Sequence, residues 1–314
     1  MVVSVEPRAG DHPVLVAVAR ELAGLMARPL APGLYLVATP IGHLADVSLR
    51  ALAILCTADH VYCEDTRHSR KLLDRYSIRR ALRTYHEHNG EAERPAILAG
   101  LRAGHSLALI SDAGTPLVSD PGFKLVREAV AANLPVYAIP GASAVLAALT
   151  ASGLPSDCFT FAGFLPVKQG QRLERLRELA EAAGTLIFFE APGRVAATLM
   201  ALSDVFGSDC PAAVGRELTK LHEEMHTGSL AGLLRWAQAS DMRGEAVILV
   251  APVRSRHNDA TDEEISQALT DLDAGTLRDR VDCVATRLRA ARKRVYDIAL
   301  RSEDGRRRHK DGPT

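Results

Sequence analysis

The stretch Leu107 to Gly122, LALISDAGTPLVSDPG, gathers the residues best suited to hold a small ligand. Leu107 to Ser111 is an apolar run of strand length. Asp112, Gly114, Thr115, Pro116, Ser119, Asp120, Pro121 and Gly122 then crowd into a turn from which a helix can start. A strand that stops at a glycine turn leaves backbone N–H groups unpaired beside a loop, and open α/β sheets bind ligands at the carboxyl ends of their strands. The same residues also fit an ordinary strand-to-helix turn in which Asp120 caps the next helix. Two more junctions share the pattern: Leu34 to Ala38 runs into Thr39-Pro-Ile-Gly-His-Leu-Ala-Asp46, and His60 to Glu64 opens on the polar cluster Glu64, Asp65, Thr66, Arg67, His68.

One further motif carries metal chemistry by its spelling. His222-Glu-Glu-Met-His226 matches HExxH, in which two histidines one helical turn apart hold zinc and the glutamate acts as base. The context argues against it, because Thr227-Gly228 closes the segment, Ala212 to Arg216 before it is strand-like, and no third ligand follows at metzincin spacing. No metal site is expected. Cys56, Cys63, Cys158, Cys210 and Cys283 are odd in number, scattered and nowhere spaced as CxxC, which fits reduced thiols.

The elements that must position these loops alternate. Strands are predicted at 34–38, 60–64, 107–111 and 136–139, with helices at 47–57, 67–76, 91–102 and 123–132 between or after them; 84–88 reads as a short strand or loop. Pro140-Gly-Ala-Ser143 turns into a small-residue helix, Ala144 to Ser152, with Ser143 as its N-cap. This alternation implies a mostly parallel sheet covered by helices. Near Gly153 the rhythm changes: strands at 159–164, 185–190, 212–216 and 245–250 alternate with helices near 171–183, 193–206 and 229–239. The predicted fold is therefore α/β, with two α/β domains (33–153 and 154–254) and a ligand cleft between them. Residues 1–32, with a short amphipathic helix over 12–28, are expected as an N-terminal appendage. Helices near 262–273, 276–290 and 292–301 make a helical extension (261–302), before a basic disordered tail (303–314).

The chain has 314 residues and a formal net charge of zero, so it is not an electrostatic trap for nucleic acid as a whole and any basic patch is local. Such a patch lies between Arg278 and Lys310, where twelve basic residues face five acidic ones. It fits phosphate binding or a solvated helical face equally well. No apolar run is long enough to span a bilayer, and the first 33 residues have no uninterrupted apolar core of a signal peptide. A cytoplasmic protein without membrane or DNA partners is expected.

The stretches LYLVATPIGHLADVSLRAL, CEDTRHSRKLL, TYHEHN, ALISDAGTPLVSDPGFKLV, IPGASAVLAALTASGLP, FAGFLP, TLIFFEAPGR and VGRELTKLHEE together resemble the ribosomal RNA small subunit methyltransferase I family. They cover residues 34 to 252 nearly without a gap and in the family's order. VYDIAL at 295–300 more faintly resembles the family's terminal helical extension. The resemblance implies the tetrapyrrole methylase fold, S-adenosylmethionine as methyl donor, the ribose 2′-hydroxyl of a cytidine in 16S rRNA as acceptor, and a homodimer.

It also implies which residues do the work. The donor would be held by Ile41, Gly42, Asp112, Ala113, Gly114, Thr115, Pro116, Ser143 and Ala144 on one side, and by Glu190, near Phe189, with Leu218 on the other. Asp112 would accept from the donor's amine or ribose, and the N–H groups of Gly114 and Thr115 would face its carboxylate. Candidate bases are Glu64, Asp65, His86 and Glu217, while Arg67, Arg194 and Lys220 suit RNA phosphates or a developing oxyanion. The catalytic set is accordingly Glu64, Asp65, Arg67 and Glu217, with His86, Arg194 and Lys220 toward the RNA. Each is equally of a type that builds salt bridges or helix caps. The sequence departs from the family pattern at His43, where asparagine usually follows TPIG, and at Gly193, where the usual residue is histidine. A tetrapyrrole methyltransferase and a non-catalytic RNA-binding protein are the rival readings.

Overall fold

The computed structural model describes residues 12–251, 261–272, 275–288, 290 and 292–310. Residues 1–11, 252–260 and 311–314, which fall in the expected appendage, linker and tail, lie outside them. The chain divides into two compact units, one ending at Ala251 and one beginning at Pro252.

Five parallel strands form the first sheet of the larger unit: β1 (Gly33–Val37), β2 (His60–Cys63), β3 (Leu82–Thr84), β4 (Ser106–Ile110) and β5 (Val136–Ile139), in the order β3-β2-β4-β1-β5. The register runs Gly33 against Ser106 to Val37 against Ile110, so the loops after β1 and β4 leave the sheet side by side. Burial on both faces explains why these strands read as unbroken apolar runs. Tyr35, Val37, Ala108 and Ile110 point to one core with Leu55, Val61 and Leu73, whereas Leu34, Leu107 and Leu109 point to the other with Ile97, Leu101 and Leu125. The covering helices are α2 (Leu49–Thr57), α3 (Thr66–Arg75), α4 (Gly90–Arg102) and α5 (Phe123–Ala131).

Two expectations for this half need correction. The helix α1 (Pro13–Met26) is no loose appendage: it lies against α2, and Leu22 with Leu30 packs on the Tyr35–Val37 core. Nor does Asp120 cap α5. The N-cap is Gly122 at φ 130°, with no side-chain bond, which leaves the Asp120 carboxylate to another environment.

The second sheet is mixed, in the order β6-β7-β10-β8-β9. Its strands are β6 (Phe159–Phe164), β7 (Thr185–Glu190), β8 (Pro211–Arg216), β9 (Glu224–Ser229) and β10 (Ala246–Val250); β6 and β7 are parallel and the other pairs antiparallel. The sequence pattern misses β9, because an edge strand reading Glu-Met-His-Thr-Gly-Ser lacks a clean apolar alternation. Its presence disposes of the zinc geometry: His226 stands in a strand, its ring 3.9 Å from that of Trp236 and its Nε2 3.1 Å from Glu224, and His222 precedes the strand. Helices α7 (Gln169–Leu179), α8 (Val195–Phe206) and α9 (Leu230–Ala239) cover one face, over Leu186, Phe188 and Ile248.

The other face of this sheet is covered from the first half of the chain. Helix α6 (Ala144–Ala151), N-capped by Ser143 as expected, places Val145, Ala148 and Leu149 in one cluster with Ile41, Ile187, Ala213, Val247 and Leu249. Its alanines let the helix lie close to the strands.

In the smaller unit, α10 (Asp262–Thr270), α11 (Leu277–Arg287) and α12 (Arg292–Lys310) enclose Ile265, Val281, Val284 and Val295. Capping boxes start α10 at Thr261 and α11 at Thr276. Part of the basic charge is used internally, since Arg292 pairs with Asp282 and Arg294 with Asp262. The last helix runs to Lys310, through residues expected to be disordered, in keeping with its content of arginine, lysine and glutamate.

Ala148 is fully buried at the junction between the halves. Ala148→Leu should overpack it and lower the stability of the larger unit by about 1–3 kcal/mol, read from the urea unfolding midpoint.

Candidate functional site

The loop after β4 is held in a tight path. Thr39 donates its N–H to the Gly114 carbonyl at 2.8 Å and accepts from the Gly114 N–H at 3.0 Å, so the loops after β1 and β4 are joined by a short bridge. The Thr39 hydroxyl donates to the Ser111 carbonyl, and the Ser111 hydroxyl donates to the Gly114 carbonyl at 3.1 Å. Four residues of this loop lie at positive φ: Gly114 (76°), Leu117 (73°), Ser119 (66°) and Gly122 (130°). Backbone of that kind in non-glycine residues is costly and persists only where the surroundings impose it. The loop after β2 is tied in as well, because the Asp65 N–H donates to Asp112 Oδ1 at 3.0 Å.

These loops and the second sheet enclose a cavity of about 490 Å³. Ile41, Asp112, Ala113, Gly114, Thr115, Ser143, Ala144, Glu190 and Leu218 all line it, as does Glu64. Phe164 and Phe189, with ring centroids 5.7 Å apart, form an apolar wall. Val118, Asp120 and the segment Gly244–Val247 also border the cavity, and the sequence reading misses them as site residues. The available signal for Asp120 was its place in the same polar turn as Asp112.

Other expected site residues stand elsewhere. Pro116 is buried outside the cavity wall. Gly42 lines a second hollow, of about 320 Å³, which shares Ile41, Asp112, Ala113 and Glu245 with the first. A Cβ at Gly42 would lie 2.7 Å from Thr219 Oγ1 and 3.1 Å from the Leu218 carbonyl, so glycine is required there for close approach to the 218–220 loop. The N–H of Gly114 is spent on Thr39, which leaves Thr115 of the two N–H groups expected to face a carboxylate.

Asp65 is the N-cap of α3: its Oδ1 accepts from the Arg67 N–H at 2.8 Å, and its carboxylate pairs with the exposed Arg67 guanidinium. Neither residue lines either hollow. Glu217, at φ 50°, accepts from Lys220 Nζ at 2.9 Å and from the Glu245 N–H at 3.0 Å, acting as a buttress for the strand β10 entry. Those bonds hold its carboxyl below the usual range despite burial. Lys220 borders the second hollow but is paired to both Glu217 and Glu245. Arg194 pairs with the fully buried Glu190 at 3.0 Å and donates to the Leu165 carbonyl, while the Thr198 hydroxyl donates to Glu190 at 2.6 Å. Ring nitrogen Nδ1 of His86 accepts from the Asn89 N–H at 3.3 Å, outside both hollows. His43 and Gly193, the two departures, line neither hollow; a Cβ at Gly193 would meet open space.

Five carboxylate residues border the large cavity; Glu190 is bound to Arg194 and Glu245 to Lys220, which leaves Glu64, Asp112 and Asp120 without an ion pair among the described residues. Burial, reinforced by repulsion from Glu64 and Asp112, pushes Asp120 up to about 7. Glu64 is raised by burial and by Asp112. The cavity is an anionic bowl with an aromatic wall, suited to a ligand that joins a cation to an apolar ring system.

Residues 33–234 match the family Tetrapyrrole (Corrin/Porphyrin) Methylases. The ribosomal RNA small subunit methyltransferase I of Mesorhizobium japonicum is 58% identical over 237 residues, 75% of this chain and 81% of that protein. The chain belongs to this methyltransferase family. The protein of the same name from Pseudomonas aeruginosa is 48% identical over 220 residues, 69% of this chain and 78% of its own length. In fold, the chain is similar to uroporphyrin-III C-methyl transferase from Thermus thermophilus, solved in complex with S-adenyl homocysteine, with a TM-score of 0.50 at 22% identity over 70% of this chain and 98% of that one. Family membership agrees with a cavity lined by the residues on which the resemblance rests. Among the described residues no helix is long and apolar enough to cross a membrane.

Asp120 predicts a pH effect on stability. Between its ordinary value near 3.8 and about 7, the folded state retains a proton that the unfolded state has lost, so this group lowers stability progressively as pH rises through that window. Asp120→Asn removes the penalty. Its melting temperature relative to the parent should therefore rise between about pH 4 and about pH 8.

Proposed function

We propose that the chain is an S-adenosylmethionine-dependent methyltransferase that modifies the ribose 2′-hydroxyl of a cytidine in 16S rRNA of the small ribosomal subunit. The observation that carries this reading is the anionic, aromatic-walled cavity in a chain 58% identical to a ribosomal RNA small subunit methyltransferase I. The residues present fit the donor. Glu64, Asp112 and Asp120 favour a sulfonium cation, Phe164 and Phe189 offer an apolar face to adenine, and the Thr115 N–H and the start of α6 at Ser143 suit a carboxylate.

The donor supplies a methyl group already activated by its positive sulfur, which leaves as a neutral thioether once the 2′-oxygen takes the methyl. The protein must align the two reactants and accept the hydroxyl proton. Of the expected bases, Glu64 is the one that borders the cavity, and Asp120 stands with it as a carboxylate of raised pKa. Asp65 and Glu217 serve the surrounding loops instead. Arg194, bound to Glu190, and Lys220, bound to Glu217 and Glu245, hold the walls. A homodimer belongs to this reading: Phe123 and Val130 on α5 and Tyr137 on the edge strand β5 are exposed apolar side chains available to a second copy. A cytoplasmic location follows from a ribosomal substrate.

Transfer of labelled methyl from S-adenosylmethionine to 30S subunits lacking the modification, with a tetrapyrrole precursor in parallel, tests the reading. Label in a cytidine ribose is the expected result; label in the tetrapyrrole alone would overturn it. Ionised carboxylates attract the sulfonium, so S-adenosylmethionine should bind more tightly as pH rises from about 6 to about 8. S-adenosylhomocysteine, whose sulfur is neutral, should show a much weaker dependence when both are titrated by calorimetry.

A further inference from the structure

The large cavity solves one half of the recognition problem and creates another. Its unpaired carboxylates, Glu64, Asp112 and Asp120, repel phosphate, so a polynucleotide can offer its ribose there only if its backbone is held outside by cations. Arg194 is tied to the buried Glu190, and Lys220 to the half-buried Glu217 and the exposed Glu245. Two exposed cations of α3 with no ion pair among the described residues, His68 and Lys71, border the second hollow; the exposed Arg75 follows Lys71 by one turn, and only Asp74 opposes them on that helix.

Arg67, Lys71 and Arg75 recur every four residues and so form one stripe, with steps of about 6 Å along the helix axis. His68 and Lys71 border the second hollow, whose walls Ile41, Asp112, Ala113 and Glu245 also belong to the large cavity. The second hollow therefore shares walls with the large cavity, and Lys71 joins it to the basic stripe.

We propose that the outward stripe of α3, together with the second hollow, is the track that holds the phosphate backbone of a single-stranded rRNA segment while its target ribose occupies the large cavity. The inference rests on the reading of the chain as an rRNA methyltransferase. It assigns the backbone contacts to Lys71 and Arg75, with His68 on the wall of the hollow, in place of Arg194 and Lys220, both of which are paired. Each phosphate neutralised releases counterions, so these contacts act on affinity and its salt dependence and leave the chemical step alone.

The test compares Lys71→Gln/Arg75→Gln with the parent protein on 30S subunits lacking the modification. Binding of S-adenosylmethionine should be unchanged. Affinity for the subunits should fall about tenfold near physiological salt, and the slope of log affinity against log salt should become shallower by about 1. The charge-keeping exchange Lys71→Arg/Arg75→Lys should restore both. Arg102→Gln, at the end of α4 next to the amino-terminal end of β4, should behave as the parent. Unchanged affinity and slope in the double glutamine variant overturn the track, and so does a loss of donor binding, which would place the effect inside the cavity. Absence of methyl transfer to these subunits by the parent protein would remove the functional reading itself.

Discussion

The contact on which the site depends is the packing of α6 against the second sheet. Strands β7, β8 and β10 have two apolar faces, and helices α7, α8 and α9 cover just one. The other face would stand in water without Val145, Ala148 and Leu149. Burying it fixes the two sheets against each other and leaves, at the amino end of α6, a space that neither half could enclose alone. The hydrophobic term that stabilises the larger unit is thus the same one that shapes its cavity.

Electrostatics then decide what that space accepts. Glu64, Asp112 and Asp120 come from two different strand-end loops; burial raises Glu64 and Asp120, and repulsion from the Asp112 charge adds to both. A cationic ligand relieves that repulsion. The carboxylates that might have competed for the same role are neutralised locally, Asp65 by α3 and Arg67, and Glu217 by Lys220 and the β10 backbone. Glu190 is similarly spent on Arg194 and Thr198.

Rigidity comes from backbone that is held against its preferences. Leu117 and Ser119 on one side and Glu217 and Thr219 on the other adopt left-handed φ without being glycine. Gly42 meets Leu218 and Thr219 so closely that any side chain would part the two loops. The Thr39–Gly114 bridge closes the first wall. Loops restrained in this way hold acceptor and donor positions steady in the absence of regular secondary structure.

The sequence by itself determined the α/β alternation, the strand-end loops and the turn at Asp112–Thr115, and its resemblance to a known family carried Ile41, Ser143 and Leu218 to what proves to be the cavity lining. Local patterns suffice for the first group, since a buried strand and a glycine turn are each written in adjacent residues. Tertiary structure alone decided which charged residues face the cavity. Asp120 and Asp65 are of one type in similar loops, yet Gly122 starts α5 without help from Asp120, while Asp65 is consumed in starting α3. The edge strand β9 forms by pairing with β8, α1 docks on α2, and Lys220 reaches Glu245 as well as its near neighbour Glu217, whereas Arg194 is captured by Glu190 four residues before it. Whether a carboxylate or a guanidinium is free depends on which opposite charge lies within about 4 Å once the chain has folded, and even neighbours three or four residues apart meet only where the backbone between them takes the right turn.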